Sequence, residues 1–244
     1  MKAIITFHSI DDSGSVLSFP PRRFREFVER LAHSETPPMD LDALLSPATR
    51  AGVSLTFDDG IESVAKEALP VLRDYGLPAH LFLPTDHVGR DNRWPGQPAD
   101  APVFSLMNWR DVESCHAGGI RIESHSASHV DLRTLPAAAA EADCARADAA
   151  IEQHVGRAPR YLAYPYGYFN AAIATRLCRR YAGCVTTELR YLGPRDCPGS
   201  LPRLDSYYLV RPWTDSLASR PVRGYLEMRS WLRLLHSKRI LRHT

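Results

Sequence analysis

The chain has little that would carry it through a bilayer or staple it by disulfides. No run of apolar residues approaches the roughly 20 needed to span a membrane, so the reading is of a protein that does not cross one. The opening Met1-Lys-Ala-Ile-Ile-Thr-Phe-His8 carries one charge and few apolar residues before Ser9-Ile-Asp-Asp12, short of a signal peptide's apolar centre. A cytoplasmic protein is expected. Five cysteines, Cys115, Cys144, Cys178, Cys184 and Cys197, form no paired spacing, and an odd count suits buried thiols in a reducing compartment. There is no internal repeat, and no glycine-rich phosphate loop follows the first apolar run, which argues against a nucleotide-binding open sheet.

What is present is ordinary in bulk: 44% hydrophobic and 24% charged residues across 244 positions. That is enough for one sizeable core. Net charge is +2, but residues 200–244 hold nine Lys/Arg against three Asp/Glu. Residues 1–215 are therefore read as one catalytic domain, and 216–244 as a basic amphipathic C-terminal helix in which Arg223, Arg229 and Arg233 interleave with Val222, Leu226, Trp231 and Leu232.

Short apolar runs at 3–7, 53–57, 79–83, 120–123, 161–164 and 184–187 alternate with stretches of 3.6-residue periodicity at 22–32, 61–75, 108–116, 137–155 and 170–181. Strands alternating with helices imply a mainly parallel sheet, and about six such units fit a closed or nearly closed (β/α) barrel. Residues 84–104, rich in Pro, Gly, Asp and Asn, read as a long loop over one face of it.

The chemistry-bearing residues sit at the carboxyl ends of these runs, the face where barrel active sites assemble. His8 follows the first run, Leu55-Thr-Phe-Asp-Asp-Gly60 ends the second, His125-Ser-Ala-Ser-His129 follows the fourth, and Ala163-Tyr-Pro-Tyr-Gly167 ends the fifth. One carboxylate with two imidazoles makes a three-ligand shell that leaves a divalent metal an open position, and a second carboxylate is free to act as a base. Asp58 and Asp59 point different ways on a strand end, so separate jobs are expected. Residues four apart share a face on a helical turn, which would let His125 and His129 reach one ion. The Pro165–Gly167 turn would aim a backbone N–H at a developing oxyanion, with Tyr164 and Tyr166 as a wall for a sugar ring.

At these residues the chain resembles the polysaccharide deacetylase family, carbohydrate esterase family four, with its NodB homology domain. Thr56-Phe-Asp-Asp-Gly60 and His125-Ser-Ala-Ser-His129 match its first two motifs in full. The resemblance implies a distorted, partly closed (β/α) barrel, with Asp58 as general base and Asp59, His125 and His129 as ligands of a divalent metal, most simply zinc. It implies Tyr166 as the oxyanion N–H donor. The third motif is only partly kept: Ala163 and Tyr164 stand where family members often have Arg and Pro, and this form resembles the branch acting on exopolysaccharides such as poly-N-acetylglucosamine. In Pro202-Arg-Leu-Asp205, Arg203, which with Tyr164 and Tyr166 is a substrate-binding candidate, and Asp205 could replace the lost arginine and its anchoring carboxylate, or form a surface ion pair. The C-terminal Leu-x-x-His is offered superficially by His236, in a basic helical stretch. His8, in Ile5-Thr-Phe-His8-Ser, fits a permuted version of that motif and is the candidate general acid.

The implied reaction is metal-dependent removal of an N-acetyl group from an amino sugar or N-acetylated polysaccharide. Two alternatives stand beside it: hydrolysis of another non-peptide C–N bond, as in a cyclic amide or ureide, and a non-catalytic carbohydrate-binding protein. The substrate would be an N-acetylated or lipid-linked saccharide, not a nucleic acid. The basic tail permits peripheral attachment to an anionic membrane, or a final helix packed on the barrel with its charged face in water.

Overall fold

The computed structural model describes residues 1–35, 37–97 and 100–240, with side chains up to residue 235. Seven parallel strands close into a barrel in simple chain order: β1 (Lys2–Phe7), β2 (Gly52–Phe57), β3 (Ala79–Leu83), β4 (Ile120–Ser124), β5 (Tyr161–Ala163), β6 (Gly183–Leu189) and β7 (Leu201–Asp205). Closure is made by β7, which pairs with β1 through Ile5↔Leu204 and Thr6↔Asp205. This strand went unread in the sequence because Leu201-Pro-Arg-Leu-Asp205 has no β-branched residue.

Helices α1 (Pro21–Ala32) and α2 (Leu41–Leu45) lie between β1 and β2, and α3 (Leu69–Asp74), α4 (Trp109–Ala117), α5 (Ala137–Val155) and α6 (Ala171–Leu177) follow β2 to β5 in turn. Their sequences specify them locally. Pro21 starts α1 at a position where a missing N–H costs nothing. Asn108 and Asp111 form a reciprocal capping box on α4, and Gly156 ends α5 at φ 71°. On α1 the residues Phe24, Phe27, Val28 and Leu31 recur at helical spacing and are buried. Phe24 meets Phe7 of β1 and Phe57 of β2 at ring-centroid distances of 5.3 and 5.9 Å. Each such side chain removed from water contributes about 2 kcal/mol, and truncating one would cost about 3–5 kcal/mol.

Two-residue alternation sorts every strand into an outer and an inner set. Ala3, Ile5 and Phe7 join Val53, Leu55 and Phe57 in the layer under the helices. Between them, Ile4 of β1 faces the lumen with Phe82, Tyr161, Ala163, Val185 and Leu201, capped from below by Leu41 and Leu44 of α2. The lumen is unusually polar for a core. His80 and Glu123 pair within it at 3.0 Å, and Glu123 also accepts the backbone N–H groups of Arg160 and Tyr161. The same alternation on β2 sends Thr56 and Asp58 inward.

The last helix, α7 (Arg220–Ile240), packs Val222 and Leu226 into the outer core, so its first turns share the barrel's own hydrophobic layer. The rest of the expected 216–244 segment, 241–244, lies outside the described residues, as does the side chain of His236. Cys115, Cys144 and Cys184 are buried as expected, whereas Cys178 and Cys197 are exposed.

Candidate active site

All seven strands run the same way, so their carboxyl ends open on one face, and the motif residues meet there. Asp58 continues the alternation of β2 and points into the lumen. Asp59 would then face the helices, but its backbone takes φ 71°, followed by Gly60 at 69°, and this left-handed turn swings its carboxylate across the barrel mouth. Its Oδ1 lies 3.3 Å from Nε2 of His125 and 3.3 Å from Nε2 of His129. All three residues are buried, and one ligand atom from each lies within 4.8 Å of the others.

The segment 125–129 is a loop, not the helical turn its spacing suggested. Ser126 and His129 adopt φ 60° and 53°, and with Asp59 and Tyr166 they are the non-glycine residues at positive φ among those described. All four sit at this site, where backbone strain is held in place by its surroundings. What holds the loop is a residue outside the sequence motifs. Asp143 of α5 accepts hydrogen bonds from the N–H groups of Ala127 and Ser128 at 3.1 and 3.2 Å and from the Ser128 hydroxyl at 3.0 Å. Its one sequence signal was a carboxylate on the buried face of an Ala-rich helix, beside Ala140, Cys144 and Ala147.

Asp58 has a different partner. The guanidinium of Arg203, 1% exposed in the lumen, grips it through two parallel bonds of 2.7 and 2.6 Å. Arg203 is itself fixed by donating to Thr186 O at 2.9 Å and Thr56 Oγ1 at 3.3 Å. Asp205, expected as a possible anchor for it, does not touch it. Alternation would put Asp205 on the same side as Arg203, but it is the last residue of β7 and caps the 3-10 turn that follows, where it accepts from Tyr207 N and lies 3.9 Å from Arg233. His8, one residue past β1, places Nε2 4.0 Å from Asp58 Oδ2 with its side chain 20% exposed.

The turn after β5 splits the two tyrosines. Tyr164 faces outward into the helical layer, 1% exposed, stacked on Phe169 and donating its hydroxyl to Gly199 O at 2.9 Å. It cannot touch a substrate, and its expected place in a sugar-binding wall is corrected: Ala163 takes the inward position, so its neighbour must point away. Tyr166 does lie at the mouth. Its φ of 60° sets its ring 4.9 Å from that of His129. The adjacent amides of Gly167 and Tyr168 donate to Tyr164 O and Pro165 O, whereas no described residue accepts the N–H of Tyr166. Gly167 is required here, since a Cβ would fall 2.2 Å from Thr187 Oγ1. The long loop reaches over from the other side, with the Trp94 ring 3.8 Å from His129.

Electrostatics separate the carboxylates' roles. Burial opposes ionisation of Asp58, but Arg203 outweighs it and holds the carboxyl below its usual range. Burial opposes Asp59 too, and its bonds to His125 and His129 hold it well below that range. For His129 burial dominates, with the charge of His125 adding to it, and pushes the imidazole down to about 4. It is neutral at pH 7. Burial also works against charge on His125, but Asp59 and Asp58 hold its affinity for a proton up. Two buried carboxylates thus face one guanidinium, and the pocket favours one further positive charge.

That demand, with the donor set, fits a divalent cation. The Nδ1–H of His125 donates to Ala163 O at 2.8 Å, which fixes the tautomer that leaves an Nε2 lone pair aimed at Asp59. Two imidazoles and a carboxylate are a shell that N- and O-binding metals accept. A buried Asp-His-His cluster beside a separately held carboxylate, at the carboxyl face of a parallel barrel, marks the protein as a barrel with a candidate hydrolytic metal centre.

Comparison with known proteins places it further. The polysaccharide deacetylase family model matches residues 46–181, more than half of the chain, and the protein belongs to that family. It is 24% identical over 173 residues to YxkH of Bacillus subtilis, covering 68% of this chain and 57% of that one. It is 27% identical over 133 residues to the poly-beta-1,6-N-acetyl-D-glucosamine N-deacetylase of Staphylococcus epidermidis, covering 50% and 42%. The chain spans about half the length of these curated relatives. Among solved structures, IcaB from Ammonifex degensii superposes with a TM-score of 0.73 at 24% identity over 88% of this chain and 97% of that one. The Streptococcus pyogenes deacetylase PplD, in complex with acetate, gives 0.71 at 17% over 83% and 91%. These two share the fold.

Proposed function

We propose that the protein is a metal-dependent de-N-acetylase that hydrolyses the acetamide of an N-acetylated amino sugar, with a poly-N-acetylglucosamine-type saccharide as the substrate class. The observation that carries this reading is the pairing at one barrel mouth of Asp59, His125 and His129 with an independently held Asp58.

Asp59, His125 and His129 would hold the ion, with zinc the proposed metal for two neutral imidazoles and a carboxylate. Such an ion supplies a Lewis acid for a carbonyl oxygen and lowers the pKa of water toward neutrality. The chain's own residues supply the rest. Asp58 is the general base: Arg203 occupies one lone pair on each oxygen, leaving another on each to accept a proton. The bidentate grip fixes its direction. The N–H of Tyr166 stabilises the developing oxyanion, and its ring with that of Trp94 narrows the mouth over His129. His8, 4.0 Å from Asp58 Oδ2 and partly open to solvent, protonates the departing amine. Arg203 positions the base rather than binding sugar, because it is enclosed in the lumen. The relative named for poly-beta-1,6-N-acetyl-D-glucosamine supports the substrate class.

The test is metal analysis of the purified protein together with acetate release from N-acetylglucosamine oligomers, with a cyclic imide as the competing substrate. About one divalent ion per chain and acetate release are expected. Asp58→Asn should retain the ion and lose turnover by about 100-fold or more, the contribution of a general base, and His129→Ala should lose both. Turnover of the imide alone would reject the acetamide assignment, and a protein that takes up no ion would reject the hydrolase.

A further inference from the structure

The reaction leaves the end of α7 unexplained. The segment before this helix, Leu217 to Ser219, shares a surface cavity with Met1 and Val53 at the amino ends of the strands. Further along, Arg229 lies 5.1 Å over the ring of Tyr208, and Arg233 lies 3.9 Å from Asp205 at the carboxyl end of β7. Thirteen residues of helix rise about 20 Å, roughly the length of a barrel strand. So α7 climbs the full height of the barrel, and its later turns stand at the rim of the catalytic face.

Those turns are not packed like the first. Val222 and Leu226 are buried, but Met228, Trp231, Leu232 and Leu235 are 50, 60, 42 and 45% exposed. They recur at i, i+3, i+4 and i+7, a single apolar stripe down the helix. The helix carries six Lys/Arg to one Asp/Glu. A stripe of large apolar residues on a strongly basic helix is the composition that seats in an anionic lipid interface, apolar side inward and cations at the headgroups. A second copy of the chain is a poorer occupant, because symmetric pairing of this helix would bring two strongly positive surfaces together.

We propose that the carboxyl-terminal half of α7 docks on an anionic lipid surface and holds the barrel mouth beside it, presenting the site to saccharide displayed at that surface. This goes beyond the proposed reaction, and its test needs no turnover. The full chain is sedimented with vesicles of phosphatidylcholine alone and of phosphatidylcholine with one third phosphatidylglycerol. Binding to the anionic vesicles, weakened by raised salt, is expected. Lys238→Gln/Arg239→Gln should weaken it about 30-fold, the effect of removing two cations from the helix, and Trp231→Glu/Leu235→Glu should abolish it. Both variants should release acetate from soluble oligomers as the parent does, with unchanged circular dichroism. Absence of parent binding, or equal binding to neutral and anionic vesicles, overturns the proposal. So does a parent dimer that Trp231→Glu/Leu235→Glu disperses, since a second copy would then cover the stripe. Should the variants fail to fold, the salt and lipid dependence of the parent decides alone.

Discussion

Replacing Asp143 by alanine tests how the loop that carries the proposed metal ligands His125 and His129 is held. In the native loop the carboxylate accepts three hydrogen bonds, from Ala127 N, Ser128 N and Ser128 Oγ. Bonds to a charged acceptor contribute about 1.5–3 kcal/mol each and are not additive in one cluster, so about 3–6 kcal/mol favours the loop. Against this stand Ser126 and His129 in the left-handed region, at about 1–2 kcal/mol apiece. The margin is small, and the strained conformation survives only while Asp143 is present. Asp143→Ala should therefore lower unfolding stability by about 3 kcal/mol, roughly 6–12 °C in Tm for a domain of this size. It should also weaken metal binding about 10- to 100-fold, the usual cost of removing a group that orients a ligand. Asp143→Asn, which keeps one acceptor oxygen, should fall between. The measurements are urea unfolding and competitive titration with a chromophoric chelator. An alanine variant that binds metal like the parent would refute the reasoning, because His129 would then be placed by something other than this carboxylate.

Arg203→Met should cost about 3–5 kcal/mol by leaving a buried carboxylate unpaired, and adding Asp58→Asn should recover much of that in denaturant unfolding while turnover stays lost. A single variant as stable as the parent would remove the pair from the account. Tyr164→Phe should lose about 1 kcal/mol with its bond to Gly199 O and leave kcat/KM unchanged; a large rise in KM would return Tyr164 to the substrate wall. At Asp42 burial opposes ionisation, but the Tyr161 hydroxyl, with Arg160 and Arg121, holds the carboxyl below its usual range. Its contribution is full above the unfolded carboxylate's range, about pH 4, and is lost as pH falls through the lower folded value. Asp42→Asn should thus flatten the acid limb of stability between pH 3 and 5, and an unaltered limb would show that the cluster is not linked to folding.

The barrel was legible in the sequence because six of its strands are short apolar runs set between helical periodicities. The seventh was not, since Pro202 and Arg203 give it no strand-like pattern and only closure against β1 defines it. Asp58, Asp59, His125 and His129 announced themselves by spacing at strand ends. How the two imidazoles converge did not: the sequence spacing fits a helical turn, whereas the chain uses two left-handed residues held by a carboxylate 14 residues away from His129. Tyr164 was misassigned although the information was there. Alternation along Tyr161-Leu-Ala-Tyr164 puts 161 and 163 inward and therefore 164 outward. Arg203 was visible as a residue type, but its partner depends on barrel closure, which sets β7 and β2 on either side of β1 and which no local pattern records.

The charged lumen sets a limit on engineering. In most barrels the strand interior is inert filler, and aliphatic repacking there is the ordinary route to a hardier protein. Here Arg203 and Asp58 occupy that interior, so any library that enriches Leu, Ile or Val at inward positions will select heat-resistant variants that have lost the proposed base. Thermal robustness in this scaffold has to be sought on the helical shell, where Phe24 and its neighbours can be varied without reaching the Arg203–Asp58 pair.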